Sequence, residues 1–420
     1  MQNSAEEPSD SGSETTSSLG RSPGELSVTD EASQSLRKQE IASAQAEKAR
    51  AIRQACASRD VNALTALATS EGGLLEDELR QLAWPIFLHC DEGLRQFDTA
   101  SDLKAPRHAD EDQVGLDVNR SFVYYPKAPE KEMLEKKQQL SNLITRVLRE
   151  YPMLCYFQGY HDIVQVLLLV LGEQKATPAV AHISLFRIRD YMLPSLSPAL
   201  KHLHLIPAII ETTAPELRQN LGNIQPFFAL AATLTLYAHD IQEYSNIARL
   251  FDFLLAREPV VAIYLFAAMI LSRKEELLEI PEDEPEMLHF TLSKLPSPLD
   301  LDGHILRATQ LFEDHPPESL PRGAWKRISS YSVLKTSRDP HQEDKVEDAL
   351  YYFEQQSRQI RNEERRKQAV DFLWSHRRSV GSVALAILVG LASFYVRKKG
   401  LDMSIWSYFG RFQRAIQNWI

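Results

Sequence analysis

The chain has 420 residues, of which 44% are apolar and 25% are charged, as in an ordinary globular protein with room for one large core and appended segments. Its formal net charge of −10 argues against nucleic acid as the main partner, because a phosphate-binding surface needs clustered lysines and arginines. The cysteines Cys56, Cys90 and Cys155 lie far apart in sequence and form no CxxC pair, which favours a reducing compartment.

The N-terminal segment, residues 1–35, is rich in serine, threonine and acidic residues. It holds thirteen serines and threonines and seven acids, with Arg21 as its single base, and it is therefore predicted to be a disordered tail. It has neither the apolar segment of a signal peptide nor the basic composition of a transit peptide. A charged helix is predicted to follow over residues 36–58.

Residues 60–315 show helical periodicity in nearly every segment. Leu75, Leu79, Leu82 and Ile86, for example, follow the i, i+4, i+7, i+11 spacing of one helix face. Proline or glycine separates the segments, and the sequence contains no convincing hairpin dipeptide, strand–helix alternation or fixed-period repeat. The pattern predicts an all-α fold, with about a dozen or more helices in one large domain.

The C-terminal part divides into a polar and an apolar segment. Residues 316–378 are predicted to form a polar linker that ends in a basic helix. Residues 379–396, "SVGSVALAILVGLASFYV", carry no charge, and as a helix they would span roughly 27 Å, close to the thickness of a thin bilayer. Basic clusters flank this segment on both sides, which favours a transmembrane helix over the alternative, a buried core helix.

The predicted membrane span is followed only by residues 397–420, so it is typical of a tail anchor. This last segment is amphipathic and aromatic, and is expected to lie flat at the far interface or, alternatively, to re-enter the membrane. The cysteine pattern and the N-terminal composition indicate that the bulk of the chain lies in the cytosol.

Motifs for independent chemistry are absent from the sequence. It contains no P-loop, HExxH or CxxC pattern, so it offers no nucleotide or metal site of the common kinds. His89 next to Cys90 is predicted to serve helix packing, and His202 and His204 are predicted to lie at the surface. The "GRSPG" at 20–24 matches a nucleophile elbow in letters only, because no strand precedes it. Any chemistry is therefore expected to act on something that a partner brings.

Four motifs in order carry a resemblance to a known family. They are "GGLLEDELRQLAWPIFL" at 72–88, "VGLDVNRSF" at 114–122, "YFQG" at 156–159 and "RLFDFLLA" at 249–256. The chain resembles the TBC-domain family, the Rab GTPase-activating proteins, over about residues 60–315. With its C-terminal apolar segment it is similar to the branch of that family anchored in the endoplasmic reticulum.

This resemblance implies catalytic roles for two residues. Arg120 matches the family's arginine finger and Gln158 its glutamine finger, both supplied to the GTPase in trans. Taken alone, Arg120 is typical of an exposed loop arginine paired with Asp117, and Gln158 of a turn or helix N-terminal residue. The resemblance further implies that Asp117 positions the arginine.

Other residues receive supporting roles. Tyr156 and Gly159 are expected to shape the turn that projects the glutamine, and Asp162 is a first-turn acid favoured by the helix dipole. Arg80 is expected either to contact the GTPase or to be an ordinary exposed helix arginine. Trp84 and Asp252 are expected to be structural.

Two departures from the family pattern are visible. Val114 replaces isoleucine at the first position of the second motif, a conservative change at an expected core position. The segment "PFFALAATLTLYAHDI" at 226–241, predicted to be one helix, lacks the tryptophans that the family often carries there. Core packing or the edge of the binding groove, and with it the choice of GTPase, is expected to differ.

The resemblance implies a Rab GTPase-activating protein of the early secretory pathway, acting in transport between the endoplasmic reticulum and the Golgi. Its partner would be a Rab in the GTP form, and it would need no cofactor of its own because GTP and magnesium arrive with the Rab. It would hydrolyse nothing in isolation. The expected location is the endoplasmic reticulum membrane, with the TBC domain facing the cytosol. Two alternatives are a non-catalytic scaffold that binds a GTPase and a reticulum-shaping protein.

Overall fold

The computed structural model describes residues 25–90, 105–222, 224–281, 283–339, 341 and 344–376. Within these ranges the chain forms seventeen α-helices and no β-strand, which confirms the all-α class of the domain. In chain order they are α1 (Glu25–Ser58), α2 (Val61–Thr69), α3 (Asp77–Phe87), α4 (Glu111–Asn119), α5 (Glu130–Glu150), α6 (Tyr160–Phe186), α7 (Ser197–Leu203), α8 (Leu205–Thr213), α9 (Pro215–Asn220), α10 (Leu230–Leu234), α11 (Tyr244–Ala256), α12 (Val261–Ser272), α13 (Lys274–Leu278), α14 (Pro285–Leu292), α15 (Leu301–Asp314), α16 (Val333–Thr336) and α17 (Val346–Ser375). Short 3₁₀ helices lie at Arg189–Tyr191, Pro226–Ala229, Pro317–Ser319, Pro321–Gly323 and Trp325–Arg327.

Helices α6 and α12 form the centre of the domain. α12 is apolar on all sides and is buried along its length from Val261 to Ile270, as expected for a helix surrounded by others. It packs against α8 and α15, while α6 packs against α3, α5 and α17. α5 turns one apolar stripe inward, formed by Leu140, Leu143, Ile144, Val147 and Leu148.

One helix in the described ranges, α6, is long and apolar enough to cross a membrane. However, 67% of its most apolar window is buried inside the domain, and Gly172 interrupts it with a φ of 72°. These are the features of a central core helix. The predicted span at 379–396 and the tail at 397–420 lie outside the described residues.

Helix α3 corrects the predicted apolar face. It begins at Asp77, so Leu75 precedes it, with a φ of 68°. Leu79 and Ile86 are buried, whereas Leu82 is 47% exposed. The apolar pattern alone misplaced the centre of this face, because the face also contains a buried charged residue, Arg80.

The N-terminal helix is longer than predicted. α1 begins at Glu25, inside the segment 1–35 that was predicted to be disordered, and runs without a break to Ser58. No proline or glycine occurs between these residues, so nothing in the sequence ends the helix earlier. The polar composition of the segment led to a prediction of disorder where the structure has a helix.

The segment 226–241 is not the single helix that its apolar pattern predicts. A 3₁₀ turn is followed by the short helix α10, after which Leu236 and Tyr237 adopt positive φ values of 48° and 66°. The hydroxyls of Thr233 and Thr235 donate to main-chain carbonyls four residues earlier, at 2.7 and 3.0 Å, an arrangement that weakens a helix. The buried Tyr237 hydroxyl donates to the carbonyl of Ala262 at 2.6 Å and holds the irregular backbone against α12.

Residues 316–378 were predicted to be a polar linker that ends in a basic helix. The helix is present as α17, whereas the prediction of a linker is wrong. Trp325, Val333 and Leu334 are buried in the domain. α17 then packs one stripe of its first half against the domain, formed by Ala349, Phe353, Gln356 and Ile360. From Arg361 to Ser375, every side chain that the structure describes is exposed.

A buried carboxylate holds this C-terminal part in place. Asp190 is fully buried and accepts hydrogen bonds from the Val333 main-chain N–H at 3.1 Å and from Gln356 Nε2 at 3.0 Å. His202 lies 2.9 Å from the other carboxylate oxygen, so it is a core residue and not the predicted surface residue. Burial raises the pKa of Asp190, but the contacts with His202 and the nearby Arg189 outweigh it and lower that pKa to about 2. A charged Asp190 therefore anchors both the segment around Val333 and helix α17.

Candidate functional site

Arg120 stands at the C-terminal end of α4 with its side chain in solvent. It caps the helix, where its main-chain N–H donates to the carbonyl of Asp117 at 3.0 Å, and its side chain is 65% exposed. Val114, one turn earlier than Val118, is buried with it in the core, so α4 is held by its apolar side. The arginine is therefore presented from a fixed helix end.

Asp117 is the buried partner of this arginine. Its side chain has no exposed surface, and one oxygen accepts from Arg120 Nη2 and from Gln113 Nε2, the latter at 3.0 Å. The other oxygen accepts from the Tyr156 hydroxyl at 3.0 Å. Three donors thus compensate the buried carboxylate, and among the described residues Asp117 is the hydrogen-bond partner of the guanidinium, whose other donors face outward.

Helix α4 itself is fixed to α5 by an ion pair. Arg149 Nε and Nη2 donate to the two oxygens of Glu111 at 2.7 and 2.8 Å, the bidentate geometry of a strong arginine–carboxylate pair. The hydrogen bond from Arg149 lowers the pKa of Glu111 to about 2. The helix that presents Arg120 is therefore held at its first turn as well as at its last.

Gln158 lies in the turn just before α6 and is exposed. Its neighbour Phe157 is buried against Tyr160 and Tyr191, with ring centroids 5.7 and 6.1 Å apart. Gly159, on the other side, has a φ of 102°, and a Cβ there would lie 2.6 Å from Thr235 Cγ2. Only glycine fits this turn, and the turn directs the glutamine away from the core.

Tyr156 connects the glutamine turn to the arginine helix. Its main-chain N–H donates to Asp110 Oδ2 at 2.9 Å, at the start of α4, and its hydroxyl donates to Asp117 near the end of that helix. Burial, with a further contribution from Asp117, raises the pKa of Tyr156, so the hydroxyl stays protonated and can donate. Both ends of α4 are therefore tied to the segment that carries Gln158.

Arg120 and Gln158 meet at one groove of about 190 Å³. Asp162, in the first turn of α6, lines the same groove and lies 3.1 Å from His239 Nδ1 and 3.3 Å from His161 Nε2. The remaining lining residues are Ser121, Phe122, Val123, Tyr124, Tyr125, Gln165 and Ala238. The structure thus brings together six of the seven predicted site residues: Arg120, Gln158 and Asp162 line the groove, and Asp117, Tyr156 and Gly159 support them. Arg120 and Gln158 are exposed side chains with hydrogen-bonding ends.

Arg80 does not belong to this groove. Only 5% of it is exposed, and its guanidinium donates to Asp252 at 3.0 Å and to Asp77 at 2.8 Å. Trp84 Nε1 and the Leu74 main-chain N–H donate to the same buried Asp252, both at 2.9 Å. Arg80 is therefore neither a partner contact nor an exposed helix arginine, while Trp84 and Asp252 are structural, as predicted.

Sequence analysis missed several residues of the groove. His161, Gln165 and His239 line the groove, and Gln113 supports it by donating to Asp117; no motif includes any of them. One signal was available for Gln165, because an amide inside the apolar run "DIVQVLLLV" needs a hydrogen-bond partner when that run is buried.

One group of side chains in the described ranges has the composition of a metal site. Ligand atoms of His89, His182 and Asp344 lie within 4.8 Å of one another. The 2.7 Å from His182 Nε2 to Asp344 Oδ2 is a hydrogen-bond length, however, and the buried His182 Nδ1 has no partner among the described residues. A metal-bound histidine normally donates its second N–H. The group therefore fits a hydrogen-bonded cluster that joins Asp344 to the domain.

Comparison with known proteins identifies the class of this domain. The sequence model of the Rab-GTPase-TBC domain matches residues 77–278, a segment that includes both sides of the groove. The crystal structure of the Ypt/Rab-GAP domain of Gyp1p superposes with a TM-score of 0.50, over 62% of this chain and 98% of that one, at 13% sequence identity. That likeness concerns the fold. The domain is thus a helical Rab GTPase-activating TBC domain.

Two relatives extend this assignment beyond the domain. The GTPase-activating protein gyp10 of Schizosaccharomyces pombe is 33% identical over 311 residues, which cover 72% of this chain and 82% of the relative. TBC1 domain family member 20 of Homo sapiens is 36% identical over 268 residues, which cover 63% of this chain and 66% of the relative. The chain belongs to the TBC family of Rab GTPase-activating proteins, and its partner is accordingly a Rab GTPase.

The burial of Arg80 leads to a prediction about stability. Arg80→Met would leave Asp252 buried without its cation, so we expect a loss of about 3–5 kcal/mol in the free energy of unfolding. Arg53→Met is the matched control, because Arg53 pairs with Glu76 at the surface and its loss should cost under about 1 kcal/mol. Chemical denaturation followed by circular dichroism measures both. A variant at Arg80 with unchanged stability and weakened Rab binding would contradict the assignment.

Proposed function

We propose that the chain accelerates GTP hydrolysis by inserting Arg120 and Gln158 together into the nucleotide site of a bound Rab. One observation carries the proposal: both side chains are exposed at a single groove, while the groups that hold them are buried. Exposed polar ends on rigid, hydrogen-bonded supports are what a catalytic group supplied in trans requires.

Arg120 would neutralise the charge that develops on the nucleotide. Negative charge spreads over the γ-phosphoryl oxygens in the transition state, and a fixed cation there lowers the barrier. A guanidinium suits this role because its planar fork reaches two oxygens at once, which an ammonium cannot do. Asp117 occupies one donor of Arg120 and leaves the others for the phosphates.

Gln158 would orient the attacking water. A neutral amide can accept from the water through its oxygen and donate through its nitrogen without adding charge near the phosphates. The rigid turn of Phe157 and Gly159 would bring this amide to the water at little cost in ordering. The nucleotide and its magnesium ion would come with the Rab, so the chain would need no cofactor of its own.

We further propose that the protein is anchored in the endoplasmic reticulum membrane and acts on a Rab of the early secretory pathway. The uncharged segment 379–396 supports this, as does its position just after α17, whose exposed half carries Phe372 and Trp374 among basic residues. Aromatic and basic side chains are typical of the membrane interface. The domain would then face the cytosol, where Rab proteins are met.

The first test is single-turnover GTP hydrolysis with a panel of purified Rab GTPases. The full chain in detergent is required, because removing α17 would leave the buried Asp190 without the amide of Gln356. With the Rab that responds most strongly, Arg120→Ala should lose most of an acceleration of about 10³ to 10⁵, and Arg120→Lys should recover little of it. Gln158→Ala should lose roughly 10²- to 10³-fold.

The control variants remove residues of the same two types at positions outside the groove. Arg53→Ala and Gln138→Ala remove an exposed arginine and an exposed glutamine outside the groove, and both should hydrolyse GTP at the unaltered rate. Far-ultraviolet circular dichroism should give the same spectrum for all variants. Full stimulation by a well-folded Arg120→Ala or Gln158→Ala would refute the corresponding role.

The membrane proposal predicts a topology. A glycosylation acceptor placed after Ile420 should be modified in the reticulum lumen, whereas one placed in residues 1–35 should stay unmodified. The protein should also resist extraction by alkaline carbonate, because an apolar helix of this length is held by the bilayer core. The reverse glycosylation pattern, or release by carbonate, would exclude the proposed anchor.

A further inference from the structure

The second residue of the loop that follows Arg120 is both strained and buried. Phe122 is 5% exposed and has a φ of 60°, a left-handed conformation that is unfavourable for an aromatic residue. The next two residues, Val123 and Tyr124, are 74% and 47% exposed. Phe122 is thus the last buried residue before the exposed Val123 and Tyr124 at the open edge of the groove. A contact must hold its strained backbone in place.

The contact comes from a buried glutamine on another helix. Gln165, in the second turn of α6, is 5% exposed, and its Oε1 accepts the Phe122 main-chain N–H at 2.8 Å. An N–H donor requires the amide oxygen to face it, so the orientation of this amide is fixed. The hydrogen bond joins the loop after Arg120 to the helix that begins just after Gln158.

Other contacts of the loop do not make this connection. The Ser121 hydroxyl and main-chain N–H both go to the carbonyl of Val118, at 2.7 and 3.1 Å, and therefore hold the loop to its own helix α4. Tyr156 reaches Asp117 and Asp110, which fix α4 and not the chain beyond it. Among the described residues, Gln165 makes the hydrogen bond from α6 to the backbone that follows the arginine.

We propose that Gln165 is a positioning residue for Arg120, setting the separation between the arginine and Gln158 by holding the Phe122 backbone against α6. The inference rests on the proposed function, because it assigns Gln165 a role in the same transition state. Its effect passes through the backbone to Arg120, and Gln165 itself touches neither the Rab nor the nucleotide.

A positioning role of Gln165 predicts different effects on the binding of the transition state and of the ground state. Binding of a Rab depends on the whole contact surface, whereas the geometry of the fingers matters when charge develops on the phosphoryl group. Loss of the hydrogen bond should therefore weaken binding to a Rab loaded with GDP and aluminium fluoride, which mimics the transferred group. Binding to the same Rab loaded with a non-hydrolysable GTP analogue should change little.

The test uses Gln165→Met in the full chain, which keeps the length of the side chain and removes the acceptor. With the Rab selected by the hydrolysis panel, affinity for the aluminium fluoride complex should fall roughly tenfold, the worth of one buried hydrogen bond. Affinity for the GTP-analogue complex should stay within about twofold. Equal losses in both complexes, or no loss in either, would overturn the proposal.

A double-mutant cycle with Arg120→Ala separates positioning from direct contact. If Gln165 acts through the arginine, Gln165→Met should add less than about twofold to the loss of affinity already caused by Arg120→Ala. A full additional tenfold loss would mean that Gln165 contacts the Rab itself, and would also overturn the proposal. If Arg120→Ala alone leaves affinity and hydrolysis intact, the proposed function fails first, so the two failures are distinguishable.

Gln356→Met serves as the matched control for the loss of a buried amide. Gln356 is 1% exposed and donates to Asp190 in the C-terminal part of the fold, so this variant should lose stability without a selective loss of transition-state affinity. Should Gln165→Met fail to fold, Gln165→Glu replaces it, because a carboxyl group keeps an acceptor oxygen in either protonation state. Gln165→Glu should then keep its affinity for the aluminium fluoride complex within about threefold, and a tenfold selective loss would overturn the role.

Discussion

The buried carboxylate of Asp117 is the interaction on which the proposed site depends. It accepts from Arg120 directly, and it accepts from the hydroxyl of Tyr156, two residues before Gln158. One fixed negative charge thereby holds the arginine helix and the glutamine turn in a single hydrogen-bonded unit. Because Asp117 has no exposed surface, water cannot replace these donors. Loss of one of them would leave a buried carboxylate with an unmade hydrogen bond, which is energetically unfavourable. The two exposed side chains can be mobile at their tips while their bases stay at a constant separation.

The sequence was informative where a residue's environment is set by its neighbours along the chain. The end of α4 and the glycine turn before α6 are local features, so the amino-acid pattern alone could predict that Arg120 is exposed and paired with Asp117 and that Gln158 lies in a turn or at a helix N-terminus. Arg80 could not be placed in this way, because its partner Asp252 lies 172 residues away and no local pattern points to it. An arginine on a helix is usually exposed, and only the distant carboxylate makes this one a core residue.

The same limit explains the C-terminal part and the groove wall. Residues 316–375 are polar on average, yet a few distant contacts, above all those of Asp190 with Val333 and Gln356, bring them into the fold. Average composition does not register so small a number of long-range hydrogen bonds. Gln165 is a similar case, since a polar residue in an apolar run shows that a partner is needed but not that the partner is the Phe122 backbone.

In the proposed mechanism, the amide that orients the attacking water comes from Gln158 and not from the Rab. Some GTPases orient the attacking water with a glutamine of their own. Single-turnover GTP hydrolysis by a Rab in which this glutamine has been replaced tests the role of Gln158 most directly. The full chain should stimulate this Rab to a rate close to that of the unaltered Rab, and Gln158→Ala should abolish the stimulation of both. If the chain stimulates the unaltered Rab but not the substituted one, the Rab supplies the amide itself, and the account of Gln158 is contradicted.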